Sequence, residues 1–358
     1  MPRKTAAEFK VDYVQILDEN GNADKKLMPK ISKETVLKIY KTMMQARRFD
    51  EKLLALQRQG RIGTFAQVKG QEAHVAAAAA ITKDDWMIPS FRELGAQLYR
   101  GTPMRNVILV WGGDERGNYS PYTPTDLPMA IPVGSQIPHA MGIAWGLKLK
   151  NKKNVALCFF GDGATSEGDF HEALNFAGVM NAPAIFVCQN NQYAISLPVA
   201  KQTASKTLAQ KAIDAGIEGI KIDGNDVLAM YSVVDYARNK AIAGKGPTLI
   251  EMFTYRMSDH TTADDASKYR EEKEVKEWEK KDPIERFRKF LIKEKILTEK
   301  AEKEIMKEIE KEIEKEVVAA ENTPQPTDED MFKYVYKEMN DYQKEQLDYI
   351  KQFKEKHY

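Results

Sequence analysis

The chain has 358 residues, 42% hydrophobic and 30% charged, which is enough apolar material for a large core and too much for a disordered segment. Its 54 Lys and Arg nearly cancel its 53 Asp and Glu, so no global charge draws it to nucleic acid or to an anionic membrane. Two cysteines build no disulfide framework, which fits a reduced, cytoplasmic setting.

In chain order, the opening "MPRKTAAEFK" lacks the apolar centre of a secretory leader, and Glu8 and Asp12 do not suit an organellar presequence. Residues 1–30 are polar, carry a turn signal at Asn20-Gly21-Asn22, and read as an arm over the surface or onto a partner. From Ser32 the pattern turns helical, with Val36, Ile39, Met43 and Met44 at spacings of three and four. The apolar run 75–81 is far too short to span a membrane. Residues 111–134 are rich in Gly, Pro, Asn and Thr, and a loop of that length inside a compact domain is functional or mobile. Strand and helix signals then alternate to about Arg256, which predicts an α/β domain over 31–270, a parallel sheet flanked by helices. Residues 271–358 form a helical C-terminal extension, in which Ile305, Ile309, Ile313 and Val317 lay one apolar stripe on a charged helix. "ENTPQPTDED" (321–330) breaks it, and a last helical segment carries Tyr334, Tyr336, Tyr342 and Tyr349; packing and solubility are the expected role of both segments, with a partner-binding face as the alternative.

The chemistry gathers around "FFGDGATSEGDF" (159–170). The apolar run 154–160 reads as a central parallel strand buried on both faces. After Gly161-Asp162-Gly163, Ser166 and Asp169 resemble a capping box and place a helix start near Glu167. "AIFVCQ" (184–189) is a second buried strand, ending at Asn190-Asn191, so both polar marks fall at the carboxyl ends of parallel strands, the ligand edge of an open α/β sheet. Asp162 offers an anionic oxygen, Asn191 a neutral one, and the carbonyl of Tyr193 a third; magnesium takes such oxygens together with phosphate and water. Gly163 allows a diphosphate close to the backbone, and the N–H groups of the helix start face the anion. A nicotinamide-binding fold is disfavoured, because no G-x-G-x-x-G follows an apolar strand.

With Asp162 and Asn191 29 positions apart, this pattern resembles the thiamine diphosphate motif. From about residue 35 to 275 the chain resembles the alpha subunit of the thiamine-dependent 2-oxo acid dehydrogenases, with "RQGRIG", "KGQEA", "PSFRELG", "GSQIPHAMG", "NNQYAIS" and "YRMSDHTTADD" in family order. "KQTASKTLAQKA" (201–212) is most similar to the version found in bacterial pyruvate dehydrogenases. The resemblance implies the thiamine diphosphate-binding fold and oxidative decarboxylation of pyruvate with acetyl transfer to a lipoyl group. Branched-chain 2-oxo acid or acetoin dehydrogenation, or a noncatalytic organising role, stand as alternatives.

Carried over by residue, the resemblance implies that Arg92 holds the diphosphate, with Phe91 beside it where many relatives have Tyr. Asp162, Asn191 and the Tyr193 carbonyl would bind Mg2+, Gly163 and Ala164 would face the diphosphate, and Ile131 and Val133 would contact the aminopyrimidine through their backbone. His260 would reach the diphosphate and the substrate as the catalytic residue, and Ser135 and Gln136 fall where some relatives bind potassium. Phe65, Gln67 and the 111–134 loop would shape the substrate pocket. Arg116 stands where several pyruvate-specific members have a histidine, and Thr261 where mitochondrial relatives have a regulatory serine. The implied partners are a beta subunit, in an α2β2 tetramer, and a dihydrolipoyl transacetylase core.

Overall fold

Residues 3–357 are described by a computed structural model. Its centre is a six-stranded sheet in the order β1-β7-β8-β4-β3-β2, built from β1 (Asp12–Val14), β2 (Trp86–Ile88), β3 (Ala156–Gly161), β4 (Ala184–Asn190), β7 (Glu218–Asp223) and β8 (Thr248–Phe253). Every pairing in it is parallel, as the alternating strand and helix signals predict. A two-stranded hairpin, β5 (Tyr193–Ala194) with β6 (Leu197–Pro198), stands apart from it.

The apolar runs are continuous because both faces of the sheet are covered. Leu157 and Phe159 of β3 and Ile185 and Val187 of β4 face one core, shared with the helices Lys33–Arg58, Val227–Ile242 and Pro283–Lys293. Cys158, Phe160, Phe186 and Cys188 face the other, under the helices Gln136–Leu149 and Gly168–Met180. Both cysteines are free and fully buried, and burial pushes their thiols well above the usual range, so they act as small apolar residues.

Three features refine the sequence reading. Asp12–Val14, inside the segment read as an arm, forms the outer strand of the sheet, and Ile16 and Leu17 are buried with their N–H groups donating to Asp226 Oδ2. The helix after β3 starts at Gly168 with Glu167 as its cap residue, and neither Ser166 nor any other side chain caps it. Ser166 instead ends a 3-10 turn, Asp162–Ser166, that comes between strand and helix. The striped helix spans Glu299–Glu321 and lies against Lys33–Arg58 and Met104–Trp111, burying Ile309, Ile313 and Val317 with Phe49, Leu53 and Val107. The tyrosines at 334, 336, 342 and 349 are exposed, and the last helix, Asp341–His357, buries Gln343 and Leu347.

Candidate active site

The parallel register puts the ends of β3, β4 and β8 side by side, with Gly161 opposite Gln189 and Asn190 opposite Phe253. Asp162 opens the 3-10 turn, whose first N–H groups have no acceptor within the turn. Asp162 is buried, and its Oδ2 has no hydrogen-bond partner. Burial raises its carboxyl to about 6, against the pull of its own N–H and of the Arg256 and Arg92 guanidiniums. The two glycines beside it differ. A Cβ on Gly163 would stand 3.1 Å from the Ala194 Cβ, a tight contact, whereas one on Gly161 would meet nothing within 4 Å, so packing disfavours a side chain at Gly163 and not at Gly161.

The two asparagines also divide. Asn190 donates to Glu251 Oε1 and ties β4 to β8, while Asn191 donates from Nδ2 to Gln71 Oε1 at 3.0 Å and accepts from the Tyr193 N–H at 3.3 Å. The chain then bends through Gln192 at φ 74° and Ile195 at φ 55°, a left-handed conformation that costs a β-branched residue of order 1–3 kcal/mol. Arg256 holds this bend. It donates from Nη1 to the Tyr193 carbonyl at 3.1 Å and from Nη2 to the Ile195 carbonyl at 2.7 Å.

Arg92 enters from the other side. Its Nη1 donates to the Gln67 carbonyl at 2.6 Å, and its Nη2 donates to the His260 carbonyl at 2.6 Å and faces His260 Nδ1 at 2.8 Å. Arg256 Nη1 lies 3.5 Å from the same Nδ1. Burial and the neighbouring Arg256 bring the Arg92 guanidinium down to about 9. Phe91 sets its ring edge-on to His260 with centroids 6.4 Å apart, and the His260 N–H donates to Asp264 Oδ2 at 2.9 Å. A cavity of about 50 Å³ beside Phe91 is lined by Phe65, Leu94, Leu127 and Met129.

Arg92, Asp162, Gly163, Asn191, Tyr193 and His260 therefore meet at one sheet edge, with Ala164 buried in the same turn. Ile131 and Val133 stand exposed, 53% each, in a loop that joins this edge through Gly134, where a Cβ would come 3.3 Å from Glu167 Cβ. Ser135 Oγ donates to Pro132 O and Gln136 Nε2 to Phe159 O, while Gln136 Oε1 is buried without a partner. Arg116 turns away from the site, its guanidinium taken by Asp114 and the Pro324 carbonyl. Sequence reasoning missed Arg256 and Gln71, although both lie inside quoted motifs, "YRMSDHTTADD" and "KGQEA".

The donor set suits a hard divalent cation: one carboxylate with a bare oxygen, one amide oxygen and one carbonyl. Two guanidiniums beside it suit a polyanion. Among the described residues there is no cluster of three or more His, Cys, Asp or Glu able to hold a metal, so a cation here would draw on neutral oxygens as well. Among the described residues no helix is long and apolar enough to cross a membrane.

A profile of the family described as dehydrogenase E1 component matches residues 40–329. The chain is 42% identical over 348 residues to a protein named pyruvate dehydrogenase E1 component subunit alpha from Staphylococcus aureus (strain Mu50 / ATCC 700699), covering 96% of this chain and 94% of that one. Its identity to the like-named protein of Staphylococcus epidermidis (strain ATCC 12228 / FDA PCI 1200) is 41% over 348 residues, with the same coverage.

Proposed function

This chain belongs to the dehydrogenase E1 component family, and from that membership we propose that it is the alpha subunit of a thiamine-dependent pyruvate dehydrogenase. The observation that carries the site assignment is the bare Asp162 Oδ2 beside two convergent guanidiniums, because a metal diphosphate would set a cation against the carboxylate and an anion against the guanidiniums. Asp162, Asn191 and the Tyr193 carbonyl would hold Mg2+. Arg92 and Arg256 would hold the diphosphate, with the backbone of Gly163 and Ala164 facing it. Ile131 and Val133 would meet the aminopyrimidine through their backbone. When bound, thiamine diphosphate supplies the electron sink that decarboxylation of a 2-oxo acid needs.

The chain's own residues anchor and orient. Arg92 donates to His260 Nδ1, so the single proton of the neutral imidazole sits on Nε2. His260 would thus offer one N–H donor to a substrate oxygen, with its ring fixed by Arg92 behind it and Phe91 at its side. The nearby Glu93 carboxyl is buried and accepts from Gln189 Nε2. The family resemblance implies that the carboxylate that activates the aminopyrimidine comes from a beta subunit in an α2β2 tetramer. The acetyl group would pass to the lipoyl group of a dihydrolipoyl transacetylase core.

The test is kcat/KM of the chain reconstituted with its beta partner, Mg2+ and thiamine diphosphate, using an artificial electron acceptor. Pyruvate is expected to be preferred over 2-oxoisovalerate, and the chain alone is expected to show no turnover. Preference for the branched acid would move the protein to a neighbouring complex. Turnover by the chain alone would refute the shared site.

A further inference from the structure

We propose that Gln71 is a positioning residue for Asn191, its buried Oε1 deciding which end of that amide faces the cation; the inference rests on Asn191 being a metal ligand. An asparagine can ligate a cation only through its oxygen, yet its two amide ends have nearly the same shape. Packing cannot choose between them, and hydrogen-bond partners must.

Both ends of Asn191 have such a partner. Gln71 Oε1 accepts from Nδ2 at 3.0 Å, and the Tyr193 N–H donates to Oδ1 at 3.3 Å. A flipped amide would set oxygen against oxygen at Gln71 and N–H against N–H at Tyr193. The oxygen is thereby kept on the side of the turn whose Tyr193 carbonyl is itself a candidate ligand. Gln71 is fully buried just before the short 3-10 turn Glu72–His74, its N–H donating to the Val68 carbonyl and its own carbonyl accepting from the His74 N–H.

The other end of Gln71 is unpaired. Its Nε2 is buried without an acceptor, a loss that an apolar side chain of the same length would avoid. That end gives no reason for a glutamine at this position. Its Oε1 does.

The experiment is a Mg2+ titration in the presence of saturating thiamine diphosphate, followed by calorimetry and by circular dichroism of the bound cofactor, on the chain assembled with its beta partner. Wild type, Q71M, Asn191→Asp and the double variant are compared, a cycle that isolates the coupling between the two positions. Q71M is expected to weaken Mg2+ about 10- to 100-fold, the usual cost of losing a group that orients a ligand. In the Asn191→Asp background the same change is expected to cost less than about 3-fold, because a carboxylate presents an oxygen whichever way it turns. Equal losses in both backgrounds would mean a merely structural role, and no loss in either would mean none; each result overturns the proposal. Q71E, which keeps an acceptor, is expected to hold Mg2+ within about 3-fold of wild type, and a tenfold loss there also overturns it. Failure of the wild type to bind Mg2+ with thiamine diphosphate would instead remove the cofactor reading on which all of this depends.

Discussion

The guanidinium of Arg92 closes on His260 twice, with Nη2 2.8 Å from the ring Nδ1 and 2.6 Å from the backbone carbonyl. Burial, then Arg92, then Arg256 hold the imidazole down to about 4. It is expected to be neutral at pH 6, with its proton on Nε2 and Nδ1 unprotonated. Nitrogen NMR of histidine-labelled protein reads this directly, and Arg92→Met should raise the ring's pKa toward 6.5. A protonated ring at pH 6 would contradict the geometry.

Asp162→Asn should weaken Mg2+ and thiamine diphosphate binding by about 10- to 100-fold. Its effect on the metal-free protein should be different in sign. A buried carboxylate oxygen with no partner opposes folding, so the metal-free Tm should stay level or rise. Calorimetric titration and thermal unfolding together check this. A large fall in metal-free Tm would show that the carboxylate serves the fold instead.

His74 provides a second pH test. It is fully buried, neither ring nitrogen has a hydrogen-bond partner of good geometry, and burial lowers its pKa from 6.5 to about 4. Between those values the unfolded chain binds a proton that the folded chain refuses. Stability therefore falls as pH drops from about 6.5 toward 4 and levels off below. In His74→Met this contribution disappears, so the gap in Tm between variant and wild type should widen in the variant's favour from pH 7.5 to pH 5. Parallel Tm curves would show that the ring is protonated in the fold.

The striped C-terminal helix separates two kinds of contact. Ile313→Ala should cost about 2–4 kcal/mol, because its side chain is buried among Phe49, Leu53 and Val107. Lys52→Ala breaks the ion pair with Glu314 on the same helix and should cost under about 1 kcal/mol, since both ends reach solvent. Denaturant midpoints of the two variants decide it. Equal losses would mean that charge, and not burial, fastens this helix.

Much of the fold was legible in sequence because the β3–helix–β4 unit obeys local rules. Ser32 caps the first long helix through the Thr35 N–H, and Asn181 ends the helix before β4 in a left-handed turn. Ser166 failed as a cap because the turn at Asp162 uses up the residues between strand and helix in a 3-10 bend. Asp12–Val14 gave no strand signal, since an outer strand is fixed by its neighbour, and Ile220–Ile222 lies far along the chain.

The candidate site divides in the same way. Asp162, Asn191 and Arg92 were candidates on residue type, spacing and family resemblance, because a metal ligand or a phosphate clamp would need a particular chemical group. Arg256 and Gln71 were not, because their roles are relations: one holds two carbonyls of a bend 61 and 63 positions away, the other an amide 120 positions away. The sequence by itself determined which side chains could do the chemistry, through their functional groups and local periodicity. Only the tertiary structure decided which oxygen is left bare, which nitrogen carries the proton and which amide is held in place, because each depends on burial and on partners brought together by sheet register.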